Sequence, residues 1–230
     1  MHVAPSRLGL VLGTSVAVVV ALFLYRRRRR QKRFEYIELF AGIGGFRVAL
    51  DDLGGKCVFA SEIEPHAAAV YADNFSVSPS GDITTVVVED IPTFDILTAG
   101  FPCQSFSAAG GQRGFDDPRG QLFWEIVRVV KHHRPKALLL ENVPNLLRID
   151  GGHTLHQILG ALCDCGYHCR VQLVNAATLV PQERVRLFIV GLRDEAAAAT
   201  FSWPTFEAPR PRRVLDELEV NSWRIEPHLG

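Results

Sequence analysis

The residues best suited to chemistry lie in the run Gly100-Phe101-Pro102-Cys103-Gln104-Ser105-Phe106-Ser107. Cys103 stands at the end of an apolar stretch, beside a proline that stiffens the loop. That placement exposes a thiol for nucleophilic attack. Cys57, inside an apolar run, reads instead as a structural thiol. The following loop, residues 108–118, is rich in glycine and polar residues and could close over a substrate. Further on, Glu141 directly follows four apolar residues and opens Glu141-Asn142-Val143-Pro144. A partly desolvated carboxyl group there suits an acid role. In Gln182-Glu183-Arg184-Val185-Arg186 the two arginines alternate, so both fall on one face of an extended segment.

Three more turns could hold a ligand. Phe40-Ala41-Gly42-Ile43-Gly44-Gly45 lets the backbone approach a ligand closely ahead of a helix N-terminus. Ser61-Glu62 supplies a carboxylate that can take both hydroxyls of a ribose; the bland alternative is a solvated surface charge. Gly81-Asp82-Ile83 offers a second acid, able to meet an adenine amino group. A glycine-rich turn alone serves many nucleotides, but three ligand-competent turns in this order weigh more than one.

These groups need elements to position them. Short apolar strands are expected at residues 36–40, 57–60, 95–99, 137–140, 167–174 and 186–190. Between them lie helical periods. Phe46, Ala49, Leu50 and Leu53 form one face, and Pro65 opens a helix to about residue 74. Leu122, Ile126, Val129 and Val130 mark a third helix, and Leu155, Ile158, Leu159 and Leu162 a fourth that stops near Gly166. The alternation predicts an α/β fold with a doubly wound, mostly parallel sheet, and ligands at the carboxyl ends of its strands. The wholly apolar residues 137–140 suggest a sheet centre covered on both faces. Residues 196–199 read as a small-residue linker, and Pro204, Pro209 and Pro211 break any long element after it.

Formal net charge is zero, but it is unevenly spread. Residues 1–33 hold 8 of the 25 basic residues and no acid, which leaves 17 basic against 25 acidic residues in 34–230, a net of −8. Duplex DNA is gripped largely through basic contacts to phosphate. Either the globular part is not the main grip on DNA, or a local basic patch does that work against an unfavourable mean field. The five cysteines are odd in number, and the chain is too long to need disulfide staples, so reduced thiols are expected. Cys163, Cys165, His168 and Cys169 lie close together, but the spacing lacks a second matching pair. Packed thiols where a helix passes into a strand are favoured over zinc, and no metal is expected.

The motifs FAGIGG, GFPCQSFS, ENV and QERVR, in this order and spacing, resemble the cytosine-C5 DNA methyltransferase family over residues 35–193. The resemblance implies a sheet of the S-adenosylmethionine-dependent methyltransferase type and a reaction at C5 of a flipped-out cytosine. Phe40, Gly42, Ile43, Gly44 and Pro102 would then line S-adenosylmethionine. Glu62 would hold the ribose, Ile63 would pack on adenine, and Asp82 and Ile83 would hold the adenine edge. Cys103 would be the nucleophile, and Glu141 would contact the cytosine edge. Arg184 and Arg186 would support the base and the nucleophile loop, with Gln104, Ser105, Asn142 and Val143 as substrate contacts. The Pro-Cys-Gln-Ser-Phe-Ser run resembles DNA-acting members more than the tRNA-acting branch. An RNA cytosine methyltransferase and a non-catalytic cofactor-binding regulator are the alternatives. The presence of the whole residue set weighs against the regulator.

The two ends raise separate expectations. Residues 8–25 form an apolar run of about the shortest length that spans a bilayer, followed at once by Arg26 to Arg30, Lys32 and Arg33. A helix outside the fold acting as a membrane anchor is one reading. A nuclear-import signal, a phosphate-binding arm and a misplaced start are the others. The chemistry points to a DNA-containing compartment. At the other end, residues 194–230 resemble the lead-in to a target-recognition region that family members carry further on. Three parts are thus expected: 1–33, a catalytic domain at 34–193, and this tail. The resemblance implies weak DNA binding, or no activity, for the chain alone; a truncated gene model, a split enzyme whose second chain supplies recognition, and a decayed copy are the readings that fit.

Overall fold

The computed structural model describes residues 34–102, 121–178 and 182–205. Six strands form one sheet: β1 (Glu35–Leu39), β2 (Lys56–Ser61), β3 (Ile96–Gly100), β4 (Ala137–Asn142), β5 (His168–Asn175) and β6 (Val185–Leu192), in the order β2-β1-β3-β4-β6-β5. β1 pairs in parallel with β2 and with β3, and β3 in parallel with β4. Among the described residues five α-helices accompany them: α1 (Gly45–Asp52), α2 (Pro65–Phe75), α3 (Gln121–His133), α4 (His153–Asp164) and α5 (Glu195–Thr200). The sheet is doubly wound and mostly parallel. The chain runs outward from β1 to β2, then returns past β1 to β3. Its switch point, where open α/β sheets collect ligands, lies between β1 and β3.

The core follows from the apolar periodicity. Ile37, Leu39, Leu97, Leu138, Leu140 and Leu187 come from the sheet, and Phe123, Ile126, Ile158 and Leu162 from the helices against it. α2 begins as expected: Pro65 occupies its first turn and Glu64 caps it, accepting the Ala67 N–H at 2.7 Å. Gly166, at φ +88°, stops the chain after α4 and turns it toward β5.

β6 runs antiparallel to both β4 and β5, the exception within the mostly parallel sheet. Between β5 and β6 there is no full crossover helix, only a short 3-10 turn at Ala176–Thr178 among the described residues. A parallel return needs a crossover of a dozen or more residues, so the strand reverses. The α1 face differs from expectation: of Phe46, Ala49, Leu50 and Leu53, only Leu50 is fully buried, and Leu53 is 65 % exposed. The helix rests instead on a polar cluster described below. β4 alternates, with Leu138 and Leu140 buried and Leu139 only partly so. The supposed linker at 196–199 is helical. Asp194 caps α5 by accepting the Ala197 N–H at 2.7 Å, and Ala198 packs into the interior. Four helix-favouring alanine-type positions behind a good cap outweigh the linker reading.

The segment 8–25 lies outside the described residues. Among the described residues no helix is long and apolar enough to cross a membrane. Cys163, Cys165 and Cys169 are free thiols at the passage from α4 into β5.

Candidate active site

The glycine turn leaves β1 in an unusual backbone conformation. Phe40 at φ +54°, Gly42 at +56° and Gly44 at +92° all lie in the left-handed region. A phenylalanine held there is strained, as is common at ligand sites. The Ala41 N–H donates to the Ser61 carbonyl at 2.9 Å, tying the turn to the end of β2. The Gly42 N–H donates to Glu62 Oε2 at 2.7 Å, and the Glu64 N–H to Glu62 Oε1 at 2.8 Å. The Glu62 carboxylate is thus fixed by two backbone donors, with a further lone pair on each oxygen for a ligand. A side chain at Gly42 would meet open space, whereas at Gly44 it would lie 2.1 Å from the Phe75 ring. Gly42 therefore faces the site, and Gly44 is required for packing on α2.

Beside these, Ile43 and Ile63 are 57 % and 66 % exposed, apolar surfaces available to a flat ligand. The Glu62 N–H donates to the Ser80 carbonyl at 2.8 Å, which lays the Asp82 turn along the end of β2. Asp82 accepts the Thr84 N–H at 2.9 Å. Ile83 is buried in the core, so only its backbone can meet a ligand. Its carbonyl accepts from Arg128 of α3 at 2.9 Å, bracing the turn.

Across the switch point, Glu141 at the end of β4 pairs with Arg186 of β6, Nε to Oε1 at 2.9 Å. The pair is about one-quarter exposed. Glu141 is therefore an ion-paired carboxylate withdrawn from most of the solvent. A Cβ placed on Gly100 would lie 3.6 Å from Glu141 Oε2 and 3.9 Å from the Phe40 carbonyl oxygen. The ends of β1, β3 and β4 thus converge at one spot around Gly100. Phe101 then buries its ring against Phe123 at 5.6 Å between centroids, and exposed Pro102 follows. Asn142, expected as a substrate contact, is 3 % exposed. Its amide donates to the Phe101 carbonyl at 2.9 Å and its own oxygen accepts the Val143 N–H at 2.8 Å. It acts as a strut between the loops after β3 and β4, with its polar atoms already committed.

The structure therefore gathers Phe40, Gly42, Glu62, Ile63, Asp82, Pro102, Glu141 and Arg186 around the carboxyl ends of β1 to β4. Val143, two residues after Glu141 in the chain, is exposed. Arg184 lies just ahead of β6 with an exposed side chain, its backbone bonded to Asn175 and Ala176. Only Arg186 of the two pairs with Glu141. Cys103, Gln104 and Ser105 lie outside the described residues, directly after Pro102 in the chain. The residue the sequence reading passed over is Glu38. An acid inside the apolar strand Tyr36-Ile37-Glu38-Leu39 was the available signal.

An open, mostly parallel α/β sheet with a glycine turn at its switch point has the architecture of S-adenosylmethionine-dependent methyltransferases. The chain belongs to the C-5 cytosine-specific DNA methylase family, whose model matches residues 34–228. It is 47 % identical over 166 residues to the type II methyltransferase M.DsaV of Dactylococcopsis salina, covering 72 % of this chain and 47 % of that protein. It is 48 % identical over 179 residues to M.HpaII of Haemophilus parainfluenzae, covering 76 % and 50 %. Against M.HhaI of Haemophilus parahaemolyticus the figures are 42 % over 170 residues, 74 % and 52 %. The chain thus spans about half the length of the curated relatives it matches. Among solved structures, the S. pombe Dnmt2 methyltransferase superposes with a TM-score of 0.63 at 26 % identity, over 82 % of this chain and 61 % of that one. The Entamoeba histolytica methyltransferase EhMeth, at 20 % identity and TM-score 0.61, over 71 % and 54 %, shares the fold. Members of the family use S-adenosylmethionine.

Proposed function

We propose that this chain carries the cofactor-binding and base-modifying part of a DNA (cytosine-5-)-methyltransferase. One observation carries the reading: the Glu141 carboxylate, held by Arg186, stands over Gly100, which the Phe40 carbonyl also approaches, at the root of the loop that leads to Cys103.

The residues present fit the cofactor. The Gly42 face is open, Glu62 keeps two lone pairs for a ribose diol, and Ile63 offers an apolar surface for a purine. Asp82 keeps acceptor capacity for an adenine amino group beyond its bond to Thr84. S-adenosylmethionine, when bound, supplies the methyl group that C5 of cytosine receives.

The chain's own residues do the rest. C5 is a weak nucleophile. Addition of the Cys103 thiolate to C6 breaks the ring conjugation and makes C5 enamine-like. Glu141 holds N3 and the exocyclic amine, and its proton offsets charge developing on the ring. Arg186 fixes the carboxyl group's orientation. After C5 is alkylated, loss of its proton expels the Cys103 thiolate and restores the ring. A stacked base cannot be reached this way, so the cytosine must flip out. The −8 charge of residues 34–230 supports a division of labour, in which a second chain or another basic segment supplies the main phosphate grip and the sequence choice.

The test is adduct trapping. The chain, with cofactor and duplex DNA containing 5-fluorocytosine, should form a covalent product at Cys103 seen by mass spectrometry, and Cys103→Ser should form none. An adduct at another residue, or one on tRNA but not on DNA, would refute the reading.

A further inference from the structure

Beneath the glycine turn lies a buried polar cluster that the reaction steps do not use. Glu38 sits inside β1 with no exposed surface. A carboxyl group there is costly unless its oxygens are hydrogen-bonded. Its Oε1 accepts the Arg47 N–H at 3.0 Å, and its Oε2 accepts the Tyr71 hydroxyl at 2.9 Å. The Arg47 N–H is one of the donors that the first turn of α1 leaves without a helical partner. The helix cap, Gly44, has no side chain to satisfy it. Glu38 does from the strand below what a capping side chain does elsewhere.

The same cluster reaches the turn by a second route. Tyr71 accepts from Arg47 Nη1 at 3.0 Å, and the Arg47 guanidinium lies 4.4 Å over the Phe75 ring. That ring is the one packed against Gly44. Next to it, Asn74 donates to the Ile43 carbonyl at 3.3 Å.

We infer that Glu38 is the positioning residue of the cofactor turn: by accepting from Arg47 and Tyr71 at once, its carboxylate holds residues 42–47 in the shape that receives S-adenosylmethionine. The inference rests on the cofactor reading above. It demands two acceptor oxygens. A carboxamide, like a protonated carboxyl group, presents one acceptor and one donor, so one of the two bonds must break or reverse. The groups facing Glu38 are Arg47 and Asp51 of α1, Tyr71 of α2, Cys57 of β2 and Tyr36 of β1.

Glu38→Gln tests this in the full chain, with S-adenosylhomocysteine as the calorimetric probe and hydrogen exchange at the amides of residues 42–47. The variant should keep its cooperative melt, bind about ten-fold more weakly at pH 8, a loss matching one buried hydrogen bond, and lose protection at those amides. Lowering the pH to 6 should bring wild-type affinity toward that of the variant. Equal affinity and equal protection in the two proteins overturn the inference. If the wild type itself takes up no probe, the cofactor reading fails, and exchange alone decides the role of Glu38. If Glu38→Gln does not fold, Tyr71→Phe removes one donor and should give a smaller loss in the same direction; no change refutes the claim.

Discussion

A glycine series can separate backbone strain from steric conflict at the turn between β1 and α1. At Gly81 an added Cβ meets nothing within 4 Å and the backbone is not left-handed, so Gly81→Ala should be near neutral. At Gly42 the space is open but φ is +56°, so Gly42→Ala should lose about 1–2 kcal/mol from the left-handed conformation alone. Gly44 carries both penalties: φ is +92°, and the new methyl group would stand 2.1 Å from Phe75 Cε2 and 2.7 Å from Cζ. The ring cannot retreat freely, because the Tyr71 ring packs tilted against it at 4.8 Å between centroids and Arg47 covers its face. Overpacking of this kind costs about 1–3 kcal/mol, so Gly44→Ala should lose about 2–5 kcal/mol in total. Against the 5–15 kcal/mol typical of a domain, that is a large share of stability. Urea unfolding followed by circular dichroism gives the values. Adding Phe75→Leu should recover the steric part but not the backbone part, a favourable coupling of about 1–3 kcal/mol in the double-mutant cycle. If Gly44→Ala costs no more than Gly42→Ala, or if the coupling is absent, the packing argument is wrong.

Glu141→Gln should barely change stability, because a pair one-quarter exposed contributes under about 1 kcal/mol. It should slow 5-fluorocytosine adduct formation about 100-fold or more, the usual share of a general acid; unchanged trapping kinetics would remove Glu141 from the reaction. Asn142→Ala deprives the Phe101 carbonyl and the Val143 N–H of their partner, and should cost about 1–3 kcal/mol in denaturant unfolding while also slowing the adduct. A variant that is destabilised yet traps cytosine at the normal rate would deny that this strut positions the loop. The pH profile of stability should carry the signature of Glu38, whose carboxyl group burial raises from its ordinary 4.5 to about 7. In that window the folded chain holds a proton the unfolded chain has lost. Stability should therefore fall as pH rises from about 4.5 to 7, by about 3 kcal/mol, and then level. Glu38→Gln should remove this slope in chemical denaturation measured at each pH, and a slope that survives it belongs to another group.

The sequence alone carried what depends on local pattern. Period-2 and period-3.6 apolar spacing located the strands and the four longer helices, because the sheet buries most of those same residues. That Phe40, Gly42, Glu62 and Glu141 would share one rim was legible for a related reason: they lie at or just past strand ends, which a parallel α/β sheet brings together, while Asp82 reaches that rim through the bridge between Ser61 and Ser80.

What depended on contacts between distant elements was not legible. The direction of β6, the pairing of Glu141 with Arg186 rather than Arg184, and the burial of Asn142 are set by which strands become neighbours, a choice that local spacing does not encode. Gly44 reads in the sequence as one more ligand-facing glycine, and only the Phe75 ring across from it shows that α2 claims the space. Glu38 is the clearest case: the sequence shows an acid in an apolar strand, while the fold supplies Tyr71 and Arg47, the two donors that let a buried carboxylate hold a helix start in place.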